Sequence, residues 1–136
     1  MTVDDAREFV RSNHRAVMAT QRADGGVAMS PIVVAVDGGG DLVVSTRETA
    51  MKTQHVRRTG HASVCVLNDG FFGGWAVVEG PARIVSLPEA MDELVDYYRT
   101  SFGEHPDWDE YRTAMVREKR VMLHITPERA GPTKQG

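Results

Sequence analysis

The residues best placed to do chemistry are cations in one short stretch. Arg47, Lys52, Arg57 and Arg58 stand with His55 in Ser45-Thr46-Arg47-Glu48-Thr49-Ala50-Met51-Lys52-Thr53-Gln54-His55-Val56-Arg57-Arg58. The stretch follows the apolar run Leu42-Val43-Val44, which reads as a strand, and continues as a short helix. Thr49 is the expected N-cap and Gly60 the expected stop, which puts Lys52 in the first helical turn. A cation there opposes the helix macrodipole, which favours anions at the amino end. That position is accounted for if a bound anion sits between Lys52 and the free backbone N–H groups, with Arg47 approaching from the preceding turn. His55, one turn after Lys52, is expected to share its face. A solvated basic helix, with Arg57 and Arg58 complementing its carboxyl end, accounts for the same residues equally well.

The rest of the sequence offers little conventional catalytic equipment. It has no Walker A loop, no dinucleotide-binding glycine fingerprint, no H-E-x-x-H and no C-x-x-C. His14, His61, His105 and His124 lack metal-ligand spacing and read as structural or surface groups, so no metal site is expected. No serine stands in a G-x-S-x-G elbow, no carboxylate pair is marked for acid–base work, and no catalytic side chain is assigned. Such a chain either leaves the chemistry to a cofactor, supplying binding and orientation itself, or is not an enzyme.

The formal net charge of −3 argues against a dedicated nucleic-acid binder. Residues 45–61 nevertheless carry +3, leaving −6 elsewhere, so positive charge is concentrated where the anion is expected. With 136 residues the chain is long enough for one domain with its own core. No run of about 18 apolar residues is present, and the first residues do not resemble a signal peptide. The lone Cys65 lies in an apolar run and reads as a buried thiol, so a cytoplasmic location is the default expectation.

The elements that must position the cations follow from patterning. Residues 2–12 read as a helix capped by Thr2, with Val3, Ala6, Phe9 and Val10 on one face. A strand over 15–22, the turn Ala23-Asp24-Gly25-Gly26, a strand over 27–36 and a strand over 42–46 make two hairpins. Ser30-Pro31 marks an edge, a bulge or a break in the second strand. After the basic helix, His61–Leu67 reads as a central strand and 75–85 as a strand kinked at Gly80-Pro81. The loop between them holds Phe71 and Phe72 among glycines, placed either to cover a ligand or to pack on another subunit. Ser86 is the expected cap of a helix ending at Gly103, and Asp107 with Glu110 opens another helix. Residues 120–126 read as the last strand and 127–136 as a loose tail. The sum is a single mainly β domain over 1–136, a six-stranded antiparallel sheet with inserted helices that closes as a small barrel.

Five segments carry a resemblance: HRAVMAT, MSPIVVAVD, LVVSTRETAMKTQHVRRTGHASVCV, GGWAVVEGPARIV and EHPDWDEYRTAMVREKRVMLHITPERAG. Together they resemble the split β-barrel oxidoreductases of the pyridoxamine-5'-phosphate-oxidase-like superfamily, and more narrowly the actinobacterial branch that uses the deazaflavin coenzyme F420. The S-T-R-E-T-A-x-K and G-E-H-P-D-W-D-E-Y-R segments are the specific parts, and Val78-Glu79-Gly80 is common to the wider superfamily.

The resemblance implies a homodimeric FMN-binding split barrel with two cofactor grooves between subunits. It implies that Ser30, Pro31, Ile32 and Val33 lie along the deazaflavin ring, and that Ser45, Thr46 and Arg47 add backbone and hydroxyl contacts. Lys52 would bind phosphate with Met51, Thr53 and His55 close by, and Trp75 would reach across the dimer interface. The chain departs from its relatives at Ala50, where an arginine is common and which Arg47 is the candidate to replace. It departs again at Gln54-His55 and at Arg58-Thr59-Gly60-His61. The implied activity is hydride transfer from reduced F420 to a small conjugated electrophile. The alternatives are an FMN-binding oxidase-like protein and a non-catalytic F420- or flavin-binding protein.

Overall fold

The computed structural model describes residues 1–70 and 72–132. Helix α1 (Val3–Ser12) begins with a reciprocal cap between Thr2 and Asp5 and buries Ala6 and Val10. Strands β1 (Arg15–Gln21) and β2 (Val27–Val33) form one hairpin, and β3 (Ala35–Val36) and β4 (Leu42–Arg47) form a second. Helix α2 (Met51–Thr59) leads into β5 (His61–Leu67) and the long β6 (Trp75–Val85). Helices α3 (Met91–Phe102) and α4 (Trp108–Arg117) precede β7 (Arg120–Ile125) and a short β8 (Arg129–Gly131).

The strands pair antiparallel in the order β2-β1-β5-β6-β7-β4-β3, with β8 beside β6. The two ends of that order, β2 and β3, are consecutive parts of one stretch of chain. The sheet therefore curls into a half-barrel whose edges approach each other in the 27–36 segment. Met18, Val34, Leu42, Val44, Val64, Val78, Leu123 and Ile125 fill its interior. A second core, built on Val43, Leu94, Val95, Tyr97, Tyr111, Met115 and Met122, packs α3 and α4 against β4 and β7.

The sheet has eight strands where the sequence predicts six. The 27–36 run divides at Val34, whose N–H donates to the His14 carbonyl at 2.8 Å, so its two halves serve different neighbours. Pro31 does not interrupt β2: it stays in register with Val17 of β1, and β2 has a ladder partner on one side only. The expected loose tail is paired over residues 129–131, where β8 lies against Val77–Glu79. The expected kink at Gly80-Pro81 is the point where β6 exchanges β5 for β7 as its partner. A Cβ on Gly80 would lie 1.9 Å from the Thr126 carbonyl oxygen, so a side chain there collides with backbone.

Two caps also differ from expectation. Ala50, not Thr49, is the N-cap of α2, and Ser86 does not cap α3, which starts after Ala90. Asp107 caps α4 by accepting the Glu110 N–H at 3.1 Å. The buried His124 ties three elements together. Its Nδ1 lies 3.1 Å from Asp41 beyond β3, and its Nε2 lies 2.9 Å from Glu93 on α3. Arg83 stands 3.6 Å from Asp41 and meets part of that negative charge. No helix among the described residues is long and apolar enough to cross a membrane.

Candidate functional site

The site begins where β4 ends. Beyond Arg47 the chain turns through Glu48, Thr49 and Ala50 into α2, and backbone bonds hold the turn. The Ala50 N–H donates to the Arg47 carbonyl at 3.0 Å and the Glu48 N–H to the Lys119 carbonyl at 2.9 Å. Thr53 Oγ1 adds a bond to the Arg47 carbonyl at 2.7 Å. Ala50 has no side chain with which to cap the helix, and the Thr53 N–H donates to the Ala50 carbonyl at 3.1 Å, so the Met51 and Lys52 N–H groups are the ones left to a ligand. Lys52 stands in that first turn, partly buried, and no ion pair meets it among the described residues. Burial, followed by the nearby Arg120 charge, pushes its pKa below the ordinary lysine value. A bound anion would offset both effects.

Beside Lys52 lies a groove of about 270 Å³ lined by Thr20, Ala28, Met29, Ser30, Met51 and Lys52. Ser30, Met51 and Lys52, expected together from the sequence, do meet there. Thr20, Ala28 and Met29 were missed, although the signal was present. Once the 23–26 turn sets the hairpin register, Thr20 falls opposite Ala28.

Other expected residues go elsewhere. Ser45 opens on a second groove, of about 430 Å³, with Tyr97, Tyr98, Tyr111 and Arg120. Thr46 and His55 point inward, each 3% exposed. Thr46 meets Thr53 Oγ1, and His55 Nδ1 lies 3.0 Å from Thr20 Oγ1. The expectation that His55 shares the open face of Lys52 is thus corrected. Three residues advance the helix by about 300°, enough to turn one side chain to the ligand side and the other to the barrel. Ile32 packs on the barrel core and Val33 on the second core, while Pro31 is exposed. Trp75, 40% exposed, stands opposite Leu67 and lines neither groove. Arg57 is bonded to both oxygens of Glu48 at 2.8 Å, and Arg58 donates to the Gln21 carbonyl. Phe72 is exposed, and Phe71 lies outside the described residues.

The residue that sequence reasoning missed altogether is Arg120. It pairs with Arg47 across β4 and β7, and Glu118 Oε1 accepts from both guanidinium groups. Hydrogen bonding to Arg120 leads the causes that hold the Glu118 carboxyl below its ordinary pKa. Nothing local in the sequence places residue 120 beside residue 47.

An uncapped helix start with an unpaired lysine, set on a curled antiparallel sheet, is the arrangement against which known proteins can be compared. The family model for pyridoxamine 5'-phosphate oxidase matches residues 2–134. The chain belongs to that family. Among solved structures similar to this family member is a conserved hypothetical protein from Mycobacterium tuberculosis, 26% identical, with a TM-score of 0.77 over 96% of this chain and 82% of that one. An F420 reductase is 18% identical, with a TM-score of 0.70 over 92% of this chain and 94% of that one. HutZ, the heme storage protein from Vibrio cholerae, is 14% identical, with a TM-score of 0.70 over 96% and 94%. The last two likenesses show a common fold that serves different ligands.

Proposed function

We propose that the chain is an oxidoreductase that binds coenzyme F420 and reduces a small conjugated electrophile. The observation that carries this reading is Lys52, a partly buried and unpaired cation in the first turn of an uncapped helix. Its needs match a phosphate-linked cofactor. The adjoining groove offers Ala28, Met29 and Met51 as apolar wall and Thr20 and Ser30 as hydroxyls, a fitting surface for a planar ring. When bound, the reduced deazaflavin would supply the hydride. The Lys52 ammonium and the backbone N–H groups of Met51 and Lys52 would hold the phosphate. Ser30, with the exposed Pro31 beside it, would lie along the ring, while Ile32, Val33 and Thr46 support that wall from inside. The similarity of the S-T-R-E-T-A-x-K segment favours the deazaflavin.

The groove lies on the β2 edge, where Met29 is 71% and Val27 55% exposed. A second copy packed on this edge would complete the wall and bring its own Trp75 towards the ring. The working form is therefore a homodimer.

FMN is the second reading. Ala50 has no cation to offer and Arg57 is engaged by Glu48, so the free positive charge also suits a single phosphate. A side-by-side titration of the purified protein with F420 and with FMN tests both. Tight binding of F420 alone supports the first reading, and preference for FMN supports the second. Binding of neither reduces the cradle to a basic helix. Tight F420 binding without turnover of enones or quinones would leave a cofactor-binding protein.

A further inference from the structure

Arg47 and Arg120 stand directly opposite each other in the β4–β7 ladder, a placement in which like charges repel. Glu118 relieves the repulsion with one atom. Its Oε1 accepts from Arg47 Nη2 at 3.2 Å, from Arg120 Nε at 3.2 Å and from Arg120 Nη2 at 2.9 Å. The carboxylate occupies a place that its own helix disfavours. Glu118 is the C-cap of α4, where the macrodipole is negative and cations are preferred.

The backbone holds Glu118 in this position. The chain leaves α4 through Lys119, whose φ of 53° is left-handed, and the Lys119 carbonyl accepts the Glu48 N–H. The turn that presents Glu118 is thereby tied to the turn that starts α2. Arg47 and Arg120 thus share one counter-ion, while Lys52 has no ion pair among the described residues.

We propose that Glu118 is a resident counter-ion, replaced between Arg47 and Arg120 by an anionic group of the ligand. The proposal rests on the reading of the α2 start as a phosphate cradle and extends it to the class of ligand. The ligand carries two separated anionic groups, one for Lys52 and one able to compete with a carboxylate for two guanidiniums. A lone monoester satisfies Lys52 and leaves Glu118 in place. The ion pair between Glu118 and Arg120 is only 26% exposed on either side, so its charge-assisted bonds are worth more than those of a surface pair. Glu118 therefore sets a threshold that a ligand with only one phosphate group does not pass.

The test is Glu118→Gln, which keeps the side-chain shape and removes the charge, with Glu110→Gln as control. Glu110 stands on the rim of the same groove and pairs with Arg117 at 3.8 Å. F420 and inorganic pyrophosphate are titrated by calorimetry, and melting is followed with and without each. Glu118→Gln is expected to tighten both ligands about tenfold, to melt lower when free, and to lose that deficit when saturated. Glu110→Gln is expected to stay within about twofold of the parent, as a rim charge does. Unchanged or weaker binding by Glu118→Gln, an undiminished free-state melting point, or an equal gain from Glu110→Gln each overturns the proposal. If F420 fails to bind while pyrophosphate shows the tightening, the cofactor reading falls and the counter-ion role stands. If neither ligand binds either protein, both fall.

Discussion

His55 Nδ1 and Thr20 Oγ1 meet at 3.0 Å inside the barrel, where the two residues are 3% and 5% exposed. The contact joins α2 to β1 directly behind the groove that Thr20 shares with Lys52. His55 thus supports the site from inside. His55→Ala should cost about 2–3 kcal/mol, through a cavity and an orphaned hydroxyl. Urea unfolding is the measure. A variant of full stability with lost cofactor affinity would instead make His55 a ligand-facing group.

Lys52→Ala should weaken cofactor binding at least about tenfold, or 1.4 kcal/mol. The same change should leave melting equal or higher, because it removes a partly buried cation that has no ion partner. Unaltered affinity would remove Lys52 from the site.

Tyr97 donates to the Val33 carbonyl at 2.8 Å and Tyr111 to the Leu94 carbonyl at 2.7 Å. Burial pushes both hydroxyls up to about 12 from an ordinary value of 10.0. Between these values the unfolded chain has released protons that the folded chain retains, so stability is full below pH 10 and falls as pH rises towards 12. The expected loss is about 1.4 kcal/mol per pH unit for each tyrosine. Denaturant titrations across this range should show a shallower fall for Tyr97→Phe, and an identical fall would contradict the assignment.

Gly80→Ala places a methyl group against the Thr126 carbonyl, with backbone on both sides of the collision. The expected outcome is a loss of at least about 3 kcal/mol, or failure to accumulate folded protein. Thermal melting of the purified variant decides, and a near-parental midpoint would mean that the β6–β7 corner can open.

Val27 is exposed on the β2 edge assigned to the partner copy. Val27→Lys should halve the mass seen in sedimentation equilibrium while leaving the circular dichroism spectrum unchanged. A parental mass would move the subunit contact to another face.

Short-range features were legible in the sequence. The Thr2 and Asp107 caps, the 23–26 turn, the Gly60 stop and the alternation in 61–67 each depend on residues within a few positions of one another. The same locality explains why Lys52 was found from one helical turn. Caps at Ala50 and Ala90 were misplaced because alanine carries no capping signal while Thr49 and Ser86 do. The split at Val34 was missed because it depends on a bond to His14, twenty residues back.

The sequence by itself determined the family, the mainly antiparallel build and the concentration of positive charge at the start of α2. These are properties of composition, local period and motif, which survive without knowledge of what packs on what. The tertiary structure alone decided that His55 turns inward, that Arg120 stands opposite Arg47, and that Glu118 lies between them. The register of β4 against β7 joins residues more than seventy positions apart, and the burial of the interior selects it. A helix face is likewise chosen by the sheet beneath it, so one turn of α2 sends Lys52 to the ligand side and His55 to the core.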